Sequence, residues 1–125
     1  MEMNKERSDT TYGIEDIMDK TALTRLEEEI MRTGKTTYIG GYDFKCTCFA
    51  CPEQYDVYLN GESIAYVRER HGHLTVNPII NGTIDRERLI YEEYANGRSD
   101  IFEKREEKLT QIAKEIERFY LKSNE

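Results

Sequence analysis

The dipeptide Asn60-Gly61 constrains the chain most. Both residues tolerate positive φ, so the pair favours a two-residue hairpin turn. Its flanks fit. Tyr55, Val57 and Leu59 alternate with Asp56, Tyr58 and Asn60 before it, and Ile64 to Arg70 returns after it. Upstream, Tyr42, Phe44, Cys46 and Cys48 alternate with Asp43, Lys45 and Thr47. Downstream, Gly72 turns the chain into His73 to Asn77, and Pro78 is expected to end that strand. Asn81-Gly82 marks another turn, Arg88 to Tyr94 reads as a further strand, and Asn96-Gly97 closes it. The order implies an antiparallel meander of four to five strands.

Helical periodicity flanks this region. Ile14 to Arg32 reads as an N-terminal helix with two apolar clusters, Ile14, Ile17 and Met18, then Leu23, Leu26 and Ile30, with Gly34 as its stop. The face shifts near Lys20. Ser99 or Asp100 is expected to cap a long C-terminal helix, with Asp100 and Glu103 in capping-box spacing. Phe102, Leu109, Ile112, Ala113, Ile116 and Phe119 form its single apolar stripe. The fold class is therefore α+β: a β-meander flanked by an N-terminal helix and a long C-terminal helix. At 125 residues, 1–125 is expected to be a single domain, with Met1 to Asp9 mobile.

Ile, Leu, Val and Phe together number 26 of the 125 residues, so the core is thin and a homo-oligomer interface is a natural supplement. Phe119, Tyr120 and Leu121 occupy adjacent helix positions and cannot all face one core. The C-terminal helix is thus the expected interface.

The formal net charge is −7, the opposite of a protein that coats nucleic acid, so extended nucleic-acid binding is not expected. A local basic pocket for a small anion remains compatible with that charge. No apolar run is long enough to span a membrane, and Met1 to Ser8 lacks the apolar stretch of a signal peptide. No membrane partner and a cytoplasmic location are expected.

Three constellations carry chemistry. Cys46, Cys48 and Cys51 could bind zinc with His71 or His73 as fourth ligand. Plain strand alternation explains Cys46 and Cys48 as two thiols on one sheet face, and that reading is preferred; no cofactor or metal is expected. His71-Gly72-His73 places two imidazoles around a tight turn, but no nucleophile or carboxylate is tied to them by spacing, so no catalysis is expected.

The third constellation is arginine. Alternation puts Tyr66, Arg68 and Arg70 on one strand face, and Arg86 and Arg88 open the next strand, which also carries Tyr91. Guanidinium forks suit phosphate, and tyrosine stacks on bases. Tyr66, Arg68, Arg70, Arg86, Arg88 and Tyr91 are the candidate site for one small phosphorylated ligand. The competing reading pairs Arg68 and Arg70 with Glu92, Glu93 or helix carboxylates.

The stretch Cys51-Pro52-Glu53-Gln54-Tyr55-Asp56-Val57-Tyr58, then Ala65-Tyr66-Val67-Arg68-Glu69-Arg70-His71-Gly72 and Leu74-Thr75-Val76, resembles a hairpin of small phage and prophage proteins of low-GC Gram-positive bacteria. Ser99-Asp100-Ile101-Phe102-Glu103 and the helix after it extend the resemblance, which covers Cys51 to Phe119. The size and the Arg/Tyr strand are similar to phage anti-defence proteins, the Thoeris anti-defence sponge family being the nearest analogy. The resemblance implies sequestration of a nucleotide-derived immune signal, such as a cyclic ADP-ribose or cyclic nucleotide, in the host cytoplasm. No site residue is carried over from it. The alternative is an acidic, anti-CRISPR-like inhibitor that binds a host defence protein.

Overall fold

A computed structural model describes residues 31–50 and 52–123. The expected helix lies outside these residues over 14–30, as does the expected mobile stretch 1–9. The described part is α+β, an antiparallel sheet with a long C-terminal helix. The strands are β1 (Thr36–Ile39), β2 (Tyr42–Phe49), β3 (Glu53–Leu59), β4 (Glu62–Arg70), β5 (His73–Ile80), β6 (Thr83–Ile84) and β7 (Tyr91–Tyr94). They pair in sequence order from β1 to β6, and β7 pairs β5. Two helices follow, the short α1 (Arg98–Ile101) and the long α2 (Arg105–Ser123).

Seven strands replace the expected four to five. β1 comes from the Gly40-Gly41 turn, which joins Ile39 to its partner Tyr42. β6 is a two-residue return after Asn81-Gly82. Four hairpins thus close on two-residue turns with positive φ at both positions: Gly40-Gly41, Asn60-Gly61, His71-Gly72 and Asn81-Gly82. That turn matches the right-handed twist of the strands it joins.

Pro78 does not end its strand but lies inside β5. Its carbonyl accepts from the Asp85 N–H on the side away from β4. In extended backbone the nitrogen of a residue points the same way as its carbonyl, so the missing donor falls between β7 and β6 and costs no bond to β4. The strand expected from Arg88 begins only at Tyr91; Asp85 to Ile90 is a loop. Asn77 holds that loop, donating from Nδ2 to the carbonyls of Asp85 and Arg88. The capping box is also absent. Gly97 is the N-cap of α1 and no side chain caps it, so Glu103 falls beyond the four-residue helix and cannot reach back.

Strand alternation gives the sheet an inner and an outer face. The inner face carries Phe44, Cys46, Tyr55, Val57, Ala65, Val67, Leu74 and Val76. Ile101, Phe102, Leu109, Ile112, Ala113 and Ile116 pack on it. Most of the expected helical stripe is therefore core, while Phe119 is half-buried. Tyr120 turns to the sheet, its hydroxyl donating to the Ile64 carbonyl at 2.5 Å, and Leu121 stays 60% exposed.

One end of the inner face is ionic. Register aligns Phe49, Glu53, Glu69, Leu74 and Glu93 across five strands. The α1–α2 segment answers with Arg98, Arg105 and Lys108. Glu53 is fully buried and accepts Nε and a terminal nitrogen of Arg105, both at 3.1 Å, and the Tyr55 hydroxyl at 2.5 Å. Arg98 Nε lies 3.8 Å from it. Lys108 Nζ meets Glu93 at 2.6 Å. The guanidinium groups of Arg98 and Arg105 also sit over the Phe49 ring, 5.1 and 4.8 Å from its centre. Glu69, fully buried between these two, accepts the Gly72 N–H at 2.7 Å through Oε2, and its Oε1 has no partner.

Removing the charge of Glu53 strands two cations against the core. Glu53→Gln is expected to cost about 3–5 kcal/mol in urea unfolding, the usual loss when one member of a buried pair goes. Glu69→Gln keeps an acceptor for Gly72 and should stay within about 1 kcal/mol of the parent.

Gly72 fixes where β7 lands. Its φ is +86°, and a Cβ there would meet the Ala95 carbonyl oxygen at 2.2 Å. Gly61 has a similar φ of +84° with open space around it. Gly61→Ala should cost about 1–2 kcal/mol, the left-handed penalty alone. Gly72→Ala should cost clearly more, because backbone must move; thermal melts of the two variants give the comparison.

Candidate functional site

The outer face is built by the residues between the core positions. Because β4 alternates strictly, Ala65, Val67 and Glu69 go inward and Tyr66, Arg68 and Arg70 go outward. Register extends these into rows. Lys45, Asp56, Tyr66 and Asn77 form one, and Cys48, Gln54, Arg68, Thr75 and Glu92 the next. The last is Arg70, His73 and Tyr94.

Four of the six sequence-predicted site residues gather here. Tyr66, Arg68 and Arg70 share the outer face, and Arg86 comes close enough to act on the Tyr66 hydroxyl. Burial pushes that hydroxyl up from the usual phenol range, and Asp56 and Cys48 push the same way; Arg68 and Arg86 pull it down. Arg88 and Tyr91 lie elsewhere. Arg88 Nε pairs with Asp85 Oδ2 at 2.9 Å. Tyr91 stands opposite Val76 and so faces inward, where its hydroxyl donates to Glu93 at 2.8 Å and accepts from Gln111 at 3.0 Å. Burial and the Glu93 carboxylate push Tyr91 up to about 12.

The arginines do not take the expected carboxylates. Glu92 is occupied by His73 and Tyr94, and Glu93 by Lys108 and Tyr91. Among the described residues Arg68, Arg70 and Arg86 form no ion pair with any Asp or Glu. Burial works against ionisation of Glu93, but Lys108 and Tyr91 outweigh it and hold its carboxyl below the usual range.

Sequence reasoning missed the group around Glu92. His73 Nε2 and Glu92 Oε2 lie 2.6 Å apart, and the Tyr94 hydroxyl donates to the same oxygen at 3.0 Å. These two bonds, His73 first, hold the Glu92 carboxyl below the usual carboxylate range. The His73 and Tyr94 rings stack at 4.3 Å with an interplanar angle of 6°. Glu92 lies 19 residues from His73, so only the β5–β7 pairing brings them together, and β7 was legible only as part of a longer strand. His71 sits in the turn at a φ of +54°, off the strand that carries His73.

The cysteines do not share a face. A bulge between Cys46 and Cys48 leaves Thr47 unpaired and shifts the alternation by one residue. Cys46 is buried on the inner face, whereas Cys48 pairs Gln54 on the outer one. Cys51 lies outside the described residues. Among the described residues no three His, Cys, Asp or Glu side chains gather as a metal site.

Burial, with Glu53 second, pushes the Cys46 thiol up to about 11. The thiolate is the reactive form, so at pH 8 only about one Cys46 in a thousand would carry it. Iodoacetamide at pH 8 should leave Cys46 unmodified in the folded protein and modify it once urea unfolds the chain, as read by peptide mass spectrometry.

Comparison with protein-family models, curated proteins and solved structures finds no match to this chain.

Proposed function

We propose that this is a non-catalytic binding protein that holds a small phosphorylated, nucleotide-like ligand on the outer face, over Tyr66, Arg68, Arg70 and Arg86. One observation carries this reading: Arg68 and Arg86 both act on the Tyr66 hydroxyl, Arg70 follows Arg68 on the same strand face, and none of the three has a carboxylate partner among the described residues. A guanidinium without a counter-ion keeps its whole donor fork for a ligand, and phosphate matches that fork. The net charge of −7 favours a compact anion over a polymer, since a long polyanion would meet the rest of the surface.

The anti-defence role fits the same geometry: a sponge for a nucleotide-derived signal needs tight anion contacts and no turnover. Self-association through α2 also suits it, with Leu121 exposed at its end.

The test is calorimetric titration of the full chain with cyclic nucleotides, cyclic dinucleotides and ADP-ribose derivatives. Each charge-assisted contact is worth about 1.5–3 kcal/mol. Arg68→Ala and Arg70→Ala should each weaken the bound ligand about ten- to a hundredfold with little change in Tm. Arg88→Ala, whose partner is Asp85, should leave binding unchanged. A large loss of stability in the Arg68 and Arg70 variants with binding intact would make these arginines structural. No binding by the whole panel, with a stable complex formed by a host defence protein, would replace this reading by the acidic inhibitor.

A further inference from the structure

Tyr94 is 72% exposed although one ring face lies against His73. The other face is therefore in solvent. An exposed tyrosine ordinarily samples several rotamers, and fixing one costs entropy. Here the ring is already fixed. Its hydroxyl donates to Glu92 Oε2 at 3.0 Å, the same oxygen meets His73 Nε2 at 2.6 Å, and the two rings stack in parallel. Three side chains from two strands thus hold one flat aromatic surface upright on the outer face.

The row containing this surface begins at Arg70, with His73 between Arg70 and Tyr94. Two strand spacings, roughly 10 Å, separate the Arg70 and Tyr94 backbones. The open face of Tyr94 looks away from His73 and so from Arg70, so a base stacked there and a phosphate on Arg70 would belong to one molecule whose extended phosphate arm passes over the His73–Tyr94 pair. We propose that the Tyr94 ring, braced by His73 and Glu92, is the platform for the nucleobase of a nucleoside di- or oligophosphate. This assignment rests on the phosphate reading of Arg68, Arg70 and Arg86 and names the other half of the ligand. Glu92 beside the platform disfavours a phosphate at that end, which orients the molecule.

The experiment compares ADP with base-free pyrophosphate by calorimetry on the full chain, in the parent, Tyr94→Ala, Tyr94→Phe and Arg70→Ala proteins. Base stacking on an aromatic ring is worth about ten- to a hundredfold in affinity. ADP should bind the parent at least tenfold tighter than pyrophosphate. Tyr94→Ala should remove that advantage and leave pyrophosphate binding unchanged. Tyr94→Phe keeps the ring and should keep most of the advantage, while Arg70→Ala should weaken both ligands. Equal binding of ADP and pyrophosphate to the parent, or equal losses for both in Tyr94→Ala, would overturn the platform and leave the phosphate site standing. Binding of neither ligand, or binding indifferent to Arg70, Arg68 and Arg86 substitutions, would overturn the phosphate site as well. A single-stranded oligoadenylate that binds far tighter than ADP, with steep salt dependence, would overturn the small-ligand assignment in favour of a strand.

Discussion

Glu53 is the side chain on which the architecture turns. Its carboxylate is fully buried on the inner face of β3, where only paired charge is tolerated. Arg105 supplies two bonds, Tyr55 a third, and Arg98 lies just beyond them. These partners come from both layers, so the group cannot be satisfied until the helix is in register with the sheet. The apolar stripe of α2 could slide along a greasy surface with small loss. A buried carboxylate with a matched guanidinium cannot. Lys108 and Glu93 repeat the arrangement at the sheet margin.

This clasp also partitions charge between the faces. The α1–α2 segment spends Arg98, Arg105 and Lys108 on carboxylates of the inner face. Glu92, which shares a cross-strand row with Arg68, is instead taken by His73 and Tyr94. Among the described residues the outer face therefore keeps guanidinium groups without a carboxylate partner, in a chain whose overall charge is negative. Local sheet geometry, and not composition, sets the electrostatics of the candidate site.

Much of this was legible in the chain. The Asn60-Gly61 and Asn81-Gly82 turns, the direction of β4, and the stripe from Leu109 to Ile116 follow from periodicity and turn chemistry. They placed Tyr66, Arg68 and Arg70 together on one face. What escaped depended on pairing between distant segments. The bulge at Thr47 carries no strong sequence mark, so Cys46 and Cys48 looked equivalent. Arg86 and Arg88 looked like strand residues because Asn77, 8 and 11 residues from the carbonyls it holds, is what turns that segment into a loop. Gly40-Gly41 was a readable signal for β1, obscured by the polar residues around it. The His73, Glu92 and Tyr94 group needed the β5–β7 register, which no local pattern encodes.

The two-residue turns have a kinetic consequence. Each successive pair from β1 to β6 joins chain neighbours, and such hairpins close in about 1–10 μs. The sheet can therefore assemble as its residues leave the ribosome, before Arg105 has emerged. During that interval its inner face carries Glu53, Glu69 and Glu93 beside the apolar rows, all three still hydrated. Charges turned inward are a known guard against strand-to-strand aggregation. Two of these carboxylates, Glu53 and Glu93, later lock the helix, and the arrival of Arg105, 52 residues after Glu53, converts a solubilising surface into a sealed one.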